Sequence, residues 1–435
     1  MNRSAKTLLA LLAVLVFSIA AIADVPQSAD VSKITDRRWK KAIIPIAFSN
    51  SLLKPNPSVR PDSDIQGAIR RSLDAWEAVA NIEFQVIWTD KLTISPAGNS
   101  GDGTSLVTIA QTNENLLLFS GDAFEVSART RVFFNRKGEI SEADIILNPY
   151  QQFSTDGSIG TFDFESTLTH EIGHLIGLEH SSVIGATMNE HQGKNGIFNL
   201  ASFSSRTLSE DDITQIRAIY GPKSDDDCCG LIDGKIFLTN GKGAKGLNVW
   251  LEESETGRVS VGTKTNVDGS FLFKGLKTDK YRIFAQDSAN KFAGQDLGEI
   301  EVVRARTTIF LKKISLQMRN FDAEFVGFNG QLSKIAIPIN NGKSYLIYLG
   351  GKNLNSEDLK IGTTSPFLTV SNRNFTKYDY GKDITVFSFE VKSNVETPVG
   401  EYTIYLQNKD GAIDFLTGSL TVEKFLNPWS SGVFD

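Results

Sequence analysis

The sequence predicts a multidomain chain, in which an α+β domain of helices on a twisted mixed sheet is followed by two all-β sandwich domains. Three observations predict it. The 435 residues exceed what a single core ordinarily organises. Helical periodicity is confined to the part before Gly221, and beyond it short alternating strands separated by turn residues take over. The composition is that of a folded chain, 40% apolar, with 36 glycines and 28 phenylalanines against 12 prolines. A formal net charge of −6 supplies no overall basic field, which argues against nucleic acid or anionic membrane surfaces as partners.

At the N-terminus, Arg3 and Lys6 precede an apolar run over 8–21, and the small-residue pattern Ala21-Ile22-Ala23 stands before Asp24. This is the pattern of a secretory signal peptide, residues 1–23, cut after Ala23, so an exported, extracellular protein is expected. The apolar run is shorter than the ~20 residues that comfortably span a bilayer, and no transmembrane segment is expected after cleavage. Export permits disulfides, yet the two cysteines, Cys228 and Cys229, are adjacent. A vicinal disulfide, an intermolecular bridge and two free thiols all stay open.

The α+β domain is expected over 36–222. Residues 42–48 (AIIPIAF) read as a strand, with Pro45 arguing for an edge position or a bulge because proline lacks the N–H of a ladder bond. Ile65, Ile69, Leu73 and Trp76 recur at helical spacing within 65–79, and Asp62, Ser63 and Asp64 are placed to cap that helix. Ile82, Phe84, Val86 and Trp88 alternate, as one face of a strand does, and 95–104 with its three glycines is a loop. Further strands are expected at 106–110, 129–135 and 140–147, the last two joined by a turn at Lys137-Gly138. A second helix is capped by Asp163 and runs through Leu168 and Ile172 to Leu175. A third, 209–220, opens with Ser209 and carries Glu210, Asp211 and Asp212 in its first turn, where the helix dipole favours negative charge. Gly221-Pro222 ends it.

The polar, acidic stretch 223–230 (KSDDDCCG) reads as a linker. Strands are expected at 234–238, 247–251, 265–271 and 281–284 in a first β domain over 231–313. A second, over 314–424, has strands at 344–350, 386–391 and 401–407, the last after the turn Thr397-Pro398-Val399-Gly400. Residues 425–435 form a tail containing Trp429. The first β domain resembles carboxypeptidase-regulatory-type modules, which are prealbumin-like sandwiches. The second resembles immunoglobulin-like bacterial accessory domains.

Residues 170–180 read HEIGHLIGLEH and hold three of the four histidines in the chain. On a helix, His170 and His174 project from one face, one turn apart, as two imidazole ligands of one zinc require. Glu171 flanks them, within reach of a metal-bound water. Gly177 lets the chain leave the helix with a positive φ, so that His180 can return as a third ligand. Three imidazoles leave the fourth position open, the mark of a catalytic rather than a structural zinc site. In that reading zinc lowers the pKa of a water toward ~7, Glu171 takes its proton as general base and the hydroxide attacks a polarised carbonyl.

With His170, Glu171, His174, Gly177 and His180 completing HExxHxxGxxH, followed by Ser181, the sequence resembles the metzincins and, within them, the matrixins. The resemblance implies that Met188, in Ala186-Thr187-Met188, is the methionine of a tight turn beneath the zinc. It extends to 65–84, to Ala143-Asp144-Ile145 and to 208–221 (LSEDDITQIRAIYG), and so covers roughly 36–222. It implies a zinc metalloendopeptidase with one catalytic zinc ion, acting on protein or peptide substrates. It also allows calcium in the acidic, glycine-rich loops 100–103 and 154–160, which fit no defined calcium-loop pattern.

Three departures stand out. No cysteine switch precedes the domain, only His191 is left over for a second, structural zinc, and Asn189-Glu190 follow Met188 where the family has Tyr and Pro walling its specificity pocket. His191 reads as a loop histidine near the active-site rim. The competing reading is a surface-binding or adhesion protein with a catalytically silent metzincin domain, whose β domains contact the cell surface or polysaccharide; as spacers they would carry no function of their own.

Overall fold

The computed structural model describes residues 21–22, 37–98, 100–200, 206–224, 227–354, 358–379 and 384–423. Almost all of the expected signal segment, the tail with Trp429 and the middle of the 223–230 linker lie outside the described residues.

The first half is built on a six-stranded mixed sheet. Its strands are β1 (Arg38–Trp39), β2 (Ile43–Ser49), β3 (Glu83–Thr89), β4 (Leu106–Thr108), β5 (Ala128–Phe134) and β6 (Glu139–Leu147), in the order β1-β6-β4-β2-β3 with β5 paired to β6. The pairings β2 with β3, β2 with β4, and β4 with β6 are parallel, and β5 runs antiparallel to β6. Two helices cover one face, α1 (Ile65–Glu77), capped by Asp64 as expected, and α3 (Phe164–Leu175), capped by Asp163. Ile69, Leu73 and Trp76 of α1 share one buried cluster with Leu168, Ile172 and Leu175 of α3 and with Ile44, Ile46, Val107 and Ile145 of the sheet. Each fully buried aliphatic there contributes roughly 1.5–3 kcal/mol. The indole Nε1 of Trp76 donates to Thr169 O at 2.9 Å, tying α1 to the turn that carries the histidines. The α4 helix (Glu210–Tyr220) opens with a reciprocal capping box between Ser209 and Asp212.

Several expectations are corrected. Pro45 lies on an interior strand, because Ala47 N donates to Ser105 O on the β4 side while β4 pairs only with Ala47 and Phe48. Pro45, two residues earlier, faces the same side where no partner is needed. The alternation at 82–88 does mark one strand face, but β3 is the sheet's edge, and only Ile82 and Phe84 are drawn into the core while Val86 and Trp88 stay exposed. A short helix, α2 (Asn113–Leu117), capped by Thr112, was not anticipated in its polar QTNEN sequence. The linker is shorter than 223–230, since β7 begins at Cys228, and Cys228 and Cys229 form a vicinal disulfide. The stretch 265–271 is mostly a turn with Val267 exposed, and the strand starts at Ser270, after Gly269 adopts φ 81°.

The second half is all β. Strands β7 (Cys228–Leu238), β10 (Ser270–Lys277) and β13 (Thr307–Ile314) form one sheet, with β7 in the middle. The facing sheet runs β9 (Val259–Lys264), β8 (Leu247–Glu253), β11 (Asp279–Asp287), β12 (Gln295–Val302). Their inward residues, including Ile232, Val249, Phe273 and Ile283, share one buried cluster. Farther on, a five-stranded sheet orders β15 (Gln331–Ser333), β14 (Asp322–Phe328), β17 (Ser344–Lys352), β20 (Thr385–Ser393), β19 (Leu368–Asp379). A four-stranded sheet orders β16 (Ile337–Ile339), β22 (Ile413–Val422), β21 (Gly400–Asn408), β18 (Leu359–Thr363), and the two sheets share a second cluster. Polar bonds knit the parts together. Gly262 N donates to Asp211 Oδ1 at 2.7 Å, Thr403 Oγ1 donates to Glu252 Oε1 at 2.7 Å, and the buried Arg319, which pairs with Asp414, donates from Nη2 to Asn290 O at 3.3 Å. No described helix is long and apolar enough to cross a membrane.

Candidate metal centre

α3 is buried on nearly every side, polar residues included: His170, Glu171 and His174 are at most 2% exposed. So polar a stretch is tolerated inside only because each group has an assigned partner or faces the others. The helix stops at Leu175, and Gly177 takes φ 104°, where a Cβ would stand 2.2 Å from Arg37 O. Glycine is therefore required twice over, by backbone conformation and by space. The reversal carries the chain back so that the ligand atoms of His170, His174 and His180 lie within 4.8 Å of one another.

Backbone carbonyls fix the imidazoles. His170 Nδ1 donates to Thr187 O at 2.7 Å and His174 Nδ1 donates to Leu178 O at 2.9 Å. With the protons on Nδ1, both Nε2 lone pairs point inward and meet at 3.1 Å. Two lone pairs facing at that distance repel unless a cation lies between them, and a tetrahedral zinc with bonds of about 2.0–2.1 Å sets its ligand atoms ~3.3 Å apart. The residues fit such an ion. Burial, and then the neighbouring His180, hold His170 down to about 3, and burial with the other two imidazoles holds His174 well below its ordinary value. His170 and His174 are thus held neutral, as metal ligands must be.

Glu171 lies on the flank of the triad. Thr130 Oγ1, on β5, donates to Glu171 Oε2, while Oε1 is buried with no hydrogen-bond partner among the described residues. Burial raises the carboxyl to about 8, against the lowering effects of Thr130 and of Arg129. Beneath the triad, Met188 is fully buried, and a Cβ on Gly173 would lie 2.2 Å from its Sδ. Asp212 clamps the turn that holds it, accepting from Thr187 N at 2.8 Å and Met188 N at 3.0 Å.

Every residue singled out from the sequence converges here, and four contributors were missed. Asp212 read only as a first-turn acid and Gly173 as a spacer in the motif. Thr130 and Thr187 carried no local signal, since their roles depend on strands and turns 41 and 17 residues away in sequence. His191 lies near the rim, half-buried beside Glu190 at 3.5 Å. Among the described residues the triad is the one group of three or more such ligands, so the loops 100–103 and 154–160 gather no comparable set for calcium.

Residues 38–221 match the matrixin family, Peptidase_M10, and residues 231–315 match the second β-sandwich domain of BOS complex subunit NOMO1-like proteins. Metalloendoproteinase 1 of Glycine max is 26% identical over 199 residues, which span 42% of this chain and 53% of that protein. Metalloendoproteinase 4-MMP of Arabidopsis thaliana is 28% identical over 194 residues, 42% of this chain and 48% of that one. Matrix metalloproteinase-19 of Homo sapiens is 23% identical over 188 residues, 43% and 31% respectively. The chain thus spans between about a third and about half of these relatives. Among solved structures, the major pilin subunit of Bacillus cereus aligns over 43% of this chain and 66% of that one at 14% identity and a TM-score of 0.18, which carries no argument. Residues 38–221 thus match a matrixin domain, and a match to a β-sandwich domain follows it.

Proposed function

We propose that the protein is a secreted zinc metalloendopeptidase that hydrolyses peptide bonds of extracellular proteins, with His170, His174 and His180 as ligands of a single zinc ion and Glu171 as general base. The observation that carries this reading is the convergence of three imidazoles, two of them tautomer-fixed by backbone carbonyls, beside a buried carboxylate oxygen with no hydrogen-bond partner among the described residues. When bound, zinc supplies Lewis acidity toward a water and toward the scissile carbonyl.

The remaining steps fall to this chain. Thr130 holds Glu171 by Oε2, so Oε1 is the atom that takes a proton from the attacking water and delivers it to the leaving amine. The outer edge of β5 pairs with no other strand among the described residues, and Thr130 stands on it. An extended peptide hydrogen-bonded to that edge would bring its carbonyl over the triad. His191–Gln192 offers a second edge, which pairs antiparallel with Ala21–Ile22, the two residues ahead of the expected cleavage at Ala23. Removal of the signal segment would free that edge. Met188, Gly173 and Gly177 shape the site without touching the reaction. We further read the β half as two sandwich domains, 231–313 and 314–424, supported by its two separate buried clusters.

The test is cleavage of an unbiased peptide mixture by the mature protein, before and after metal is stripped and after zinc alone is restored. Activity lost on stripping and regained with zinc is expected. A zinc-loaded, folded protein that cuts nothing would favour the binding reading.

A further inference from the structure

The chain that follows Met188 is held in a conformation it would not keep alone. Gly196, Phe198 and Asn199 have φ of 88°, 58° and 56°. For a residue as large as phenylalanine the left-handed region is strained, and it persists only where surrounding structure over-determines it. Here those surroundings belong to the C-terminal sheets, more than 120 residues away in sequence. Gln331 Oε1 accepts from Phe198 N, Asn329 Nδ2 donates to Phe198 O at 2.9 Å, and Asn199 Nδ2 donates to Asn329 O at 3.1 Å. The Phe198 backbone is thus satisfied on both sides by the β14–β15 hairpin. Ile197 and the Phe198 ring are buried in the cluster of the C-terminal sheets rather than in that of the matrixin domain. A Cβ on Gly193 would come within 2.6 Å of Ile335 Cδ1.

The same unit grips the loop on the near side of Met188. Ile184 N donates to Thr417 O at 2.9 Å, and a Cβ on Gly185 would stand 2.7 Å from Glu401 Cγ. The stretch between these grips carries Met188 and bonds to the elements that hold the site. Gln192 Oε1 accepts from Ser127 Oγ at 2.9 Å, beside the head of β5, and from Thr167 Oγ1 of α3 at 3.4 Å.

We infer that the C-terminal β unit is a structural part of the substrate cleft, in which Asn329 and Gln331 are positioning residues that hold residues 193–200 as its wall and thereby set which peptides are cut. This rests on the peptidase reading for its consequence in specificity, while the positioning itself does not. The matrixin half alone therefore carries the ligands but not a finished pocket, and the Asn189-Glu190 departure after Met188 is compensated from outside the domain.

The experiment compares the full-length mature protein with its Asn329→Ala/Gln331→Ala double variant and with Lys409→Ala, whose side chain pairs with Asp358 inside the C-terminal unit at 3.3 Å. Amide hydrogen exchange over 191–200 is read together with the residue preference around the cut in a peptide mixture, zinc content and the thermal midpoint. The expected result is exchange at least ~10-fold faster over 191–200 and a broadened preference with raised KM in the double variant. Zinc content and exchange at Trp76 and Leu168 should be unchanged, and Lys409→Ala should behave as wild type. A folded double variant with wild-type exchange and wild-type preference overturns the inference. If wild type cuts nothing, the peptidase reading fails while the exchange comparison still decides the positioning. Should the double variant unfold, Phe198→Gly, which fits the left-handed backbone but empties the anchor, gives the same two readings.

Discussion

In the matrixin-like half, buried polar side chains face one another across a small gap; in the β half, they bond to other strands and sheets. His170, His174 and Glu171 are anchored from behind by Thr187 O, Leu178 O and Thr130 Oγ1, and their remaining atoms converge on a common point. Glu252, Gln286 and Arg319 are also buried, and Glu252 Oε1 accepts from Trp250 and Thr403, Gln286 bonds Asp414 and Phe415, and Arg319 pairs with Asp414 and Asp322, while Glu252 Oε2 and Arg319 Nε have no hydrogen-bond partner among the described residues. The difference teaches what a buried polar group is for. One set gathers its free atoms with three metal ligands, and the other spends its bonds tying strands and sheets together. A single orphaned buried atom marks no site, since both sets have one; its convergence with ligands does.

The sharpest break in that comparison would come from the ligands. His174→Ala should lower zinc affinity by more than the roughly 10–100-fold expected for an outer partner of a ligand, as read by titration of metal-free protein with a competing chelator. Next is Asp212→Ala, which leaves Thr187 N, Met188 N and Ser209 N without their acceptor. A loss on the order of 3 kcal/mol in denaturant unfolding is expected, since the hydrogen bonds made to a charged acceptor are lost and their donors stay buried. Thr130→Val keeps shape and removes the donor to Glu171 Oε2. Peptide turnover should fall about 10-fold with zinc content unchanged, because one hydrogen bond to a charged group amounts to ~1.5 kcal/mol.

A further effect lies at the seam between the halves. Glu401 is buried beside Asp212, Asp211 and Arg258, and burial first, then the Asp212 charge, raises its carboxyl to about 8. A raised acid binds its proton more tightly in the folded chain, so its stabilising contribution is complete below the ordinary value of 4.5 and is lost as pH rises through about 8. Glu401→Gln should flatten the decline of stability across that window by up to ~1.4 kcal/mol per pH unit. An unchanged slope would mean that the seam does not titrate.

Much of the metal centre is legible in the sequence because its elements are local. Two histidines one helical turn apart, a glycine that must take positive φ and a third histidine three residues beyond it fix one another through helix geometry alone. The caps at Asp64, Asp163 and Ser209 are legible for the same reason. What stays hidden depends on partners brought together by tertiary structure. Pro45 reads as an edge signal until Ser105 O is seen to bond only Ala47. Thr130 is one more β-branched strand residue until β5 is laid beside α3. Gln331 and Asn329 look like ordinary turn residues of a distant hairpin, and no periodicity links them to Phe198. Within 231–313 the three strands not expected, β9, β12 and β13, alternate less cleanly, because Ile309 and Leu311 point to solvent while Ser260 is buried.

The central claim is that Glu171 acts on the proton of water and does not hold the metal. The most direct measurement compares wild type with Glu171→Ala for zinc content and for cleavage of the same peptide mixture. The account predicts one zinc per chain in both and turnover lower by about 10²–10⁴-fold or more in the variant. Equal turnover in the two, or loss of zinc together with loss of turnover, would contradict it.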